Sequence, residues 1–309
     1  MAEKPAEKPF VPFFKRTVIE PVTHEIKTLA VVGAGTMGHG IAQLIACAGL
    51  TVRLTDVDQA VLDQAVQQAT ASVEKLVAKG QLEGQALENL KQYLSTTTDL
   101  AAAVAGTDLV IEAVPEDMAL KQAVFRQLDQ HCLPQTILAS NTSALSIDEL
   151  AGVVSNRQRV LGLHFFNPVA LMPLVEIIAG LTTPPELLDA VMDFAEGLGK
   201  TPVVAKNVPG FIVNRVARNF YGEALRMLEE NVASVEVLDA IMRETAGFKM
   251  GPFELMDLIG IDVNYAVTQS VYEASFHEGR FKPHPLQRTM VENGLLGRKT
   301  GAGFYHYDG

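Results

Sequence analysis

Long apolar runs, cysteine and surplus positive charge are what this chain has least of. No stretch approaches the roughly 18–20 consecutive apolar residues that span a bilayer, so no membrane-spanning helix and no membrane partner are expected. Cysteine occurs twice, as Cys47 and Cys132, each inside a helix-like pattern. Two small buried hydrophobes in a reducing, cytoplasmic compartment are expected, rather than a disulfide framework. Acids outnumber bases 36 to 25, a formal charge of −11. That balance argues against nucleic acid, which rewards clustered cations. It leaves an anionic substrate open, because the charge that matters at a site is local. A transit peptide is not expected either, since Arg16 stands alone against Glu3, Glu7, Glu20 and Glu25 before residue 27.

What is present describes an ordinary globular protein. Its 309 residues have room for two domains, with 48% hydrophobic and 20% charged residues. Residues 1–26 differ from the rest, since Ala2-Glu3-Lys4-Pro5 repeats at once as Ala6-Glu7-Lys8-Pro9. A flexible N-terminal arm is expected there.

The most informative string is Val31-Val32-Gly33-Ala34-Gly35-Thr36-Met37-Gly38. Thr28–Val32 ahead of it is short and β-branched, and Met37, Ile41, Leu44, Ile45 and Ala48 recur at helical spacing. Gly33 permits a tight turn, Gly35 lets backbone approach a pyrophosphate, and Gly38 lets helix and strand pack closely. The helix opening at Thr36 and Met37 then presents its N-terminal N–H groups to phosphate. A second strand-like run, Thr51–Thr55, ends on Asp56, 18 residues past Gly38. A carboxylate there accepts hydrogen bonds from a ribose. A turn kept only for packing would explain the glycines but not Asp56. No base adjoins Asp56 to receive a 2′-phosphate, and Arg53 falls on the other face of the strand by alternation. NAD is therefore expected rather than NADP.

From Thr28 to about Ala205, strand-like and helix-like segments alternate. Strands are expected at Asp108–Val114, Thr136–Ser140, Arg159–Phe166, Leu174–Ile178 and Pro202–Ala205, and helices at Asp58–Lys79, Asp117–Cys132 and Pro185–Gly197. Such alternation predicts an α/β, Rossmann-type, doubly wound and mostly parallel sheet. Beyond Asn207 only helical patterns remain, opening at Pro209, Ser234, Pro252 and Asp262. The expected organisation is an arm (1–26), an NAD-binding domain (27–206) and an all-helical substrate and dimerisation domain (207–309), with substrate in the cleft between the last two.

His164 and Glu176 stand on two apolar runs joined by a loop bracketed by Pro168 and Pro173. Antiparallel pairing about Ala170 makes them cross-strand partners, with Cβ atoms about 4.5–5.5 Å apart. A carboxylate at that distance raises an imidazole's proton affinity and fixes its tautomer. The pair reads as a general base, against the alternative of a buried structural pair. Ser140-Asn141-Thr142-Ser143 follows a strand at the sheet's carboxyl edge. It reads equally as a site loop or as a turn capping the helix from Ser146. Asn214 reads as a substrate ligand or as a helix–helix hydrogen-bond partner. No constellation suggests a metal.

Taken together, Gly33–Gly38, Glu112-Ala-Val-Pro-Glu116, Ser140–Ser143, Gly162-Leu-His-Phe-Phe-Asn-Pro168, Val208-Pro-Gly-Phe-Ile-Val-Asn-Arg215, Met250-Gly-Pro-Phe-Glu-Leu255 and Gly297-Arg-Lys-Thr-Gly301 resemble the L-3-hydroxyacyl-CoA dehydrogenases. The resemblance runs from about Ile26 to Tyr307. It implies reversible, NAD-dependent oxidation of an (S)-3-hydroxyacyl-CoA, short-chain such as 3-hydroxybutyryl-CoA, with His164 as base and Glu176 as its orienting partner. Ser143 and Asn214 would hydrogen-bond substrate near the 3-oxygen and thioester. Glu116, Lys121, Ser143, Asn167 and Lys299 would line the nicotinamide end of the cofactor. Ser72 and Lys79 would contact coenzyme A, with Lys75, Lys79 and Lys121 as a cationic patch for its phosphates. A homodimer is implied. The stretch Gly251–Asn264 also resembles members acting on 3-hydroxyadipyl-CoA. Two rival readings are a β-hydroxyacid dehydrogenase acting on free acids through a catalytic lysine, and a structural dinucleotide-binding protein such as lens λ-crystallin. The intact His164–Glu176 pair argues against both.

Overall fold

The computed structural model describes residues 26–307. The expected arm lies outside these residues except for Ile26, which is buried in the core. The chain divides into two units. The first runs to Thr142 and resumes over Ser146–Asn207. It comprises β1 (Thr28–Val32), α1 (Thr36–Cys47), β2 (Thr51–Thr55), α2 (Gln59–Ala78), α3 (Gln85–Tyr93), β3 (Leu94–Thr97), α4 (Leu100–Val104), β4 (Leu109–Glu112), α5 (Met118–His131), β5 (Ile137–Ser140), α6 (Ile147–Ala151), β6 (Val160–Phe165), β7 (Leu174–Ala179), α7 (Pro185–Gly197) and β8 (Thr201–Lys206). The strands form one sheet in the order β3-β2-β1-β4-β5-β6-β7-β8, with every neighbour parallel except β6 and β7. The expected doubly wound α/β sheet is borne out. Its central strands are buried along their length, which is why they read as continuous apolar runs.

Two elements escape the apolar pattern. β3 is Leu-Ser-Thr-Thr at the sheet's edge, bonded only to β2, so it needs no apolar alternation. α4 is a five-residue helix whose start is fixed by Asp99, whose carboxylate accepts from the amides of Ala101 and Ala102.

Pairing aligns one row across the sheet: Thr55 opposite Val32, Val32 opposite Glu112, Glu112 opposite Ser140, and Ser140 opposite Gly162. Asp56, Gly33 and Asn141 lie one step past this row and His164 two steps, all on the carboxyl edge where open α/β sheets bind ligands. The segment joining β6 to β7 is too short for the dozen or more residues of a parallel crossover, so the chain reverses. Gly162 gives β7 room, since a Cβ there would lie 2.8 Å from that of Ile178.

The glycine loop is fixed by contact at two points. A Cβ on Gly38 would sit 1.7 Å from the Gly33 carbonyl oxygen, so α1 can rest on the loop only without one. Gly33 has φ of 100°, and its amide donates to the Thr55 carbonyl at 2.8 Å.

The second unit gathers Ser143–Leu145 with residues from Val208 onward. Its helices are α8 (Val213–Glu229), α9 (Val235–Glu244), α10 (Pro252–Ile259), α11 (Ile261–Ala274) and α12 (Pro285–Glu292), around a core that includes Leu225, Leu238, Phe253, Met256 and Ile261. Pro209 does not open the first helix as expected. Gly210 and Phe211 take positive φ, of 75° and 48°, and the helix begins only at Val213. Asp257 accepts from the amides of Phe304 and Tyr305 and from the Tyr307 hydroxyl, tying the C-terminal turn to α10.

Gly38→Ala should destabilise the fold by about 1–3 kcal/mol or more, the cost of overpacking a tight contact. Urea denaturation of the variant against the parent measures it.

Candidate active site

His164 and Glu176 are opposed in the β6–β7 register, as the symmetry about Ala170 predicts. His164 Nδ1 lies 2.8 Å from Glu176 Oε2, with the imidazole 6% exposed and the carboxylate fully buried. A buried carboxylate must be partnered. Here one partner is a ring nitrogen, His164 Nδ1. Phe166 packs on the ring with centroids 4.4 Å apart, limiting its rotation.

The loop after His164 is held from below. Lys200 Nζ donates to the carbonyls of Val169 (2.6 Å) and Met172 (3.0 Å), and the amides of Leu171 and Met172 both donate to the Pro168 carbonyl. Asn167, one of the expected cofactor contacts, stands exposed at the start of this turn, joined to Pro168 by a cis peptide. Asn141 Oδ1 accepts from the Phe165 amide at 2.8 Å and so locks the end of β6 to the loop after β5.

Beneath the carboxyl edge lies a polar cluster only partly foreseen. Glu112 is fully buried and accepts from Lys121 Nζ (2.8 Å), the Val114 amide (2.7 Å) and the Ser140 hydroxyl (2.6 Å). Burial pushes its carboxyl above the usual range, opposed by the Lys121 ammonium and the hydrogen bonds from Lys121, Ser140 and Val114. Lys121 Nζ also pairs with Glu116 Oε2 at 3.3 Å, and Glu116 Oε1 accepts from the Thr142 hydroxyl at 2.6 Å. Glu116 and Lys121 are therefore brought together. Lys121 is 1% exposed, however, so it does not join Lys75 and Lys79 in a cationic patch for coenzyme A. Two carboxylates draw its ammonium inward. Lys75 and Lys79 are exposed on the last turn of α2 and at its C-cap, with Ser72 half-buried on the same helix.

Ser140 belongs to this cluster rather than to a substrate loop. Ser146, as the turn reading predicts, caps α6 through the Glu149 amide. Ser143 and Asn214 meet in the second unit, where Asn214 Nδ2 donates to the Ser143 carbonyl at 3.2 Å. Arg218, one turn on, donates to the carbonyls of Asn214 and Asn264 and to the Thr268 hydroxyl; burial lowers its guanidinium to about 10. Lys299 grips both carboxylate oxygens of Asp262 at 2.6 and 2.7 Å. Burial works against the Asp262 charge, but the bonds from Lys299 and the backbone outweigh it and hold the carboxyl below its usual range.

The family model for the 3-hydroxyacyl-CoA dehydrogenase NAD binding domain matches residues 28–208, and that for the 3-hydroxyacyl-CoA dehydrogenase C-terminal domain matches residues 210–307. The chain belongs to the 3-hydroxyacyl-CoA dehydrogenase family. It is 46% identical over 282 residues to the 3-hydroxyadipyl-CoA dehydrogenase of Escherichia coli K12, covering 91% of this chain but only 59% of that longer protein. It is 40% identical over 287 residues to the mitochondrial hydroxyacyl-coenzyme A dehydrogenase of Sus scrofa, covering 91% of each. The crystal structure of (S)-3-hydroxybutyryl-CoA dehydrogenase from Ralstonia eutropha superposes with a TM-score of 0.87 at 40% identity, covering 92% of this chain and all of that one. The oxidoreductase class and the NAD cofactor read from the sequence are borne out at the level of the family.

The residues present fit a dinucleotide. Gly35 is exposed, and a Cβ there would meet nothing within 4 Å; a ligand can approach this backbone closely. No side chain caps the N-terminus of α1. Asp56 Oδ2 accepts from the Ala34 amide at 2.8 Å, which sets the carboxylate beside the loop. Arg53, as alternation predicts, is elsewhere, donating to the carbonyls of Ala103 and Ala105.

Lys121→Met should cost about 3–5 kcal/mol by stranding Glu112. The double variant with Glu112→Gln should recover most of that loss. A double-mutant cycle in urea measures the coupling.

Proposed function

We propose that this member of the family oxidises (S)-3-hydroxyacyl-CoA thioesters to 3-ketoacyl-CoA and runs in both directions, with His164 as the general base. The observation that carries the reading is the 2.8 Å contact of His164 Nδ1 with Glu176, on the carboxyl edge of the sheet that bears the glycine loop. When bound, NAD supplies the acceptor for the hydride on the carbon that carries the hydroxyl. The chain's own part is the proton. Nε2 takes it from the hydroxyl, and the buried Glu176 carboxylate stabilises the imidazolium that results. In reverse, the same nitrogen donates to the forming alkoxide. Gly33, Gly35, Thr36, Met37, Gly38 and Asp56 would hold the cofactor, with Glu116 and Asn167 towards its reacting end. Ser143 and Asn214, already hydrogen-bonded to each other, would position the 3-oxygen and thioester.

A short acyl chain such as 3-hydroxybutyryl is our reading, and relatives carry both that name and 3-hydroxyadipyl. Assay of NADH oxidation with acetoacetyl-CoA and 3-ketoadipyl-CoA decides between them. We also infer a cytoplasmic homodimer. Val216, Ile241, Phe248 and Val263 leave apolar surface exposed on the helical unit, which a second copy would cover. Light scattering tests this, and a monomer would refute it.

His164→Ala and Glu176→Gln should each lower turnover by roughly 10²–10⁴-fold, the range for loss of a general base. Kd for NAD should stay within about twofold, by titration calorimetry. Turnover of the parent with NADPH in place of NADH should fall by at least about tenfold in kcat/KM, a difference of about 1.4 kcal/mol.

A further inference from the structure

Lys200 stands between α7 and β8 and is 8% exposed. Its ammonium pairs with no carboxylate among the described residues, and burial pushes it below the usual lysine range. Its partners are two carbonyl oxygens of one turn, Val169 at 2.6 Å and Met172 at 3.0 Å. A charge held in the interior on neutral acceptors alone is costly. An anchor for the start of β8 needs no such charge, since the Thr201 amide already donates to the Pro173 carbonyl at 2.7 Å. The ammonium acts on the turn.

That turn is helix-like. The amides of Leu171 and Met172 both donate to the Pro168 carbonyl at 3.0 Å, and Lys200 takes carbonyls that the turn leaves without a backbone partner. A cation at the carboxyl end of a helical turn is favourable. The other side of the turn rests on α1. Val169 is 4% exposed, and a Cβ on Gly40 would lie 3.1 Å from Val169 Cγ2 and 3.2 Å from its Cβ. Gly40 makes room for Val169 one turn into the helix whose N-terminus fits the pyrophosphate. Val169 is thus held twice, by Lys200 at its carbonyl and by α1 at its side chain.

We infer that Lys200 is a positioning residue for the dinucleotide: by fixing Val169 against Gly40, it sets the distance between the turn that bears Asn167 and the N-terminus of α1. The inference rests on the proposed placement of Asn167 towards the reacting end of NAD. The turn and the helix then hold opposite halves of one ligand, the nicotinamide and the pyrophosphate. A ligand gripped at both ends is sensitive to their spacing, and a misplacement of about 1 Å at the reacting carbon can cost about 10²-fold in rate. The glycine loop and Asp56 lie on other elements and would hold the ADP-ribose half without the turn.

Lys200→Met keeps the length of the side chain and removes its donors. Kd for NADH should rise about fivefold or more, the worth of one hydrogen bond. Kd for ADP-ribose, which lacks the nicotinamide, should stay within about twofold; titration calorimetry measures both. Turnover of acetoacetyl-CoA should fall at least about tenfold in kcat. Gly40→Ala leaves Lys200 in place and presses on Val169 from α1, so it should split the two ligands in the same way. In the double variant the losses should not multiply, because both act through Val169. Either variant, once folded, overturns the inference by keeping the ratio of the two Kd values within about twofold of the parent's, whatever its Tm. Lys200 would then only anchor β8. Should the parent bind NADH but reduce no 3-ketoacyl-CoA, the proposed function fails while the ratio still decides the role of Lys200.

Discussion

The single reversal of chain direction in the sheet, between β6 and β7, is the constraint on which the His164–Glu176 pair depends. Up to β6 every strand runs the same way, and all of their carboxyl ends line one edge. Had β7 followed through a crossover, Glu176 would have entered the sheet from the far side. The short connection instead folds the chain back about Ala170 and lays Glu176 against His164. The side-chain period along a strand is two, so a slip of one residue would send the carboxylate to the opposite face. Lys200, the Pro168 carbonyl and Asn141 each hold one part of this turn, and each does so with backbone hydrogen bonds that a slip would break.

The row just inside that edge follows a different logic. Glu112 and Ser140 are opposite each other in β4 and β5, and Lys121 reaches in from α5 to complete the pair. A lysine drawn into the protein by two carboxylates gives up its charge as a surface feature. In exchange it connects the strand end to Glu116, which stands at the edge and takes the Thr142 hydroxyl. Ser143 is the next residue along the chain. The acidic edge and Thr142 are thus coupled through one ammonium ion and its neighbours, with Lys121 as the hub. The net negative charge of the chain therefore says little about the potential at its working edge.

Legibility in the sequence followed the range of the interactions involved. The glycine loop, Asp56 and the helices capped by Asp58 and Asp117 carry their signals within a few residues, and all were readable. The His164–Glu176 pair was readable because a short loop makes a long-range contact nearly local. β3 was not, since an edge strand of Leu-Ser-Thr-Thr has neither apolar alternation nor a buried face. Glu112, Lys200 and Arg218 were missed as structural centres for a related reason. Each is a charged residue whose partners come from other elements, and no local spacing distinguishes it from a solvated one. Lys121 shows the converse error, because its place on a helix face suggested exposure while its partners, Glu112 and Glu116, lie on the preceding strand and loop. Pro209 misled through a sound rule. Proline suits the first turn of a helix, but here Gly210 and Phe211 bend the chain into the left-handed region first.

The bond from the Ala34 amide to Asp56 gives that carboxylate two duties at once. One oxygen anchors the glycine loop to the end of β2 before any nucleotide arrives, so less disorder is lost on binding. In the proposed site the same carboxylate would supply the negative charge that turns away a 2′-phosphate. On that reading, discrimination between cofactors and rigidity of the loop are a single trait in this chain. A lineage drifting towards the phosphorylated cofactor could not change the first without loosening the second. It would need a new tether for Ala34 before it could part with Asp56.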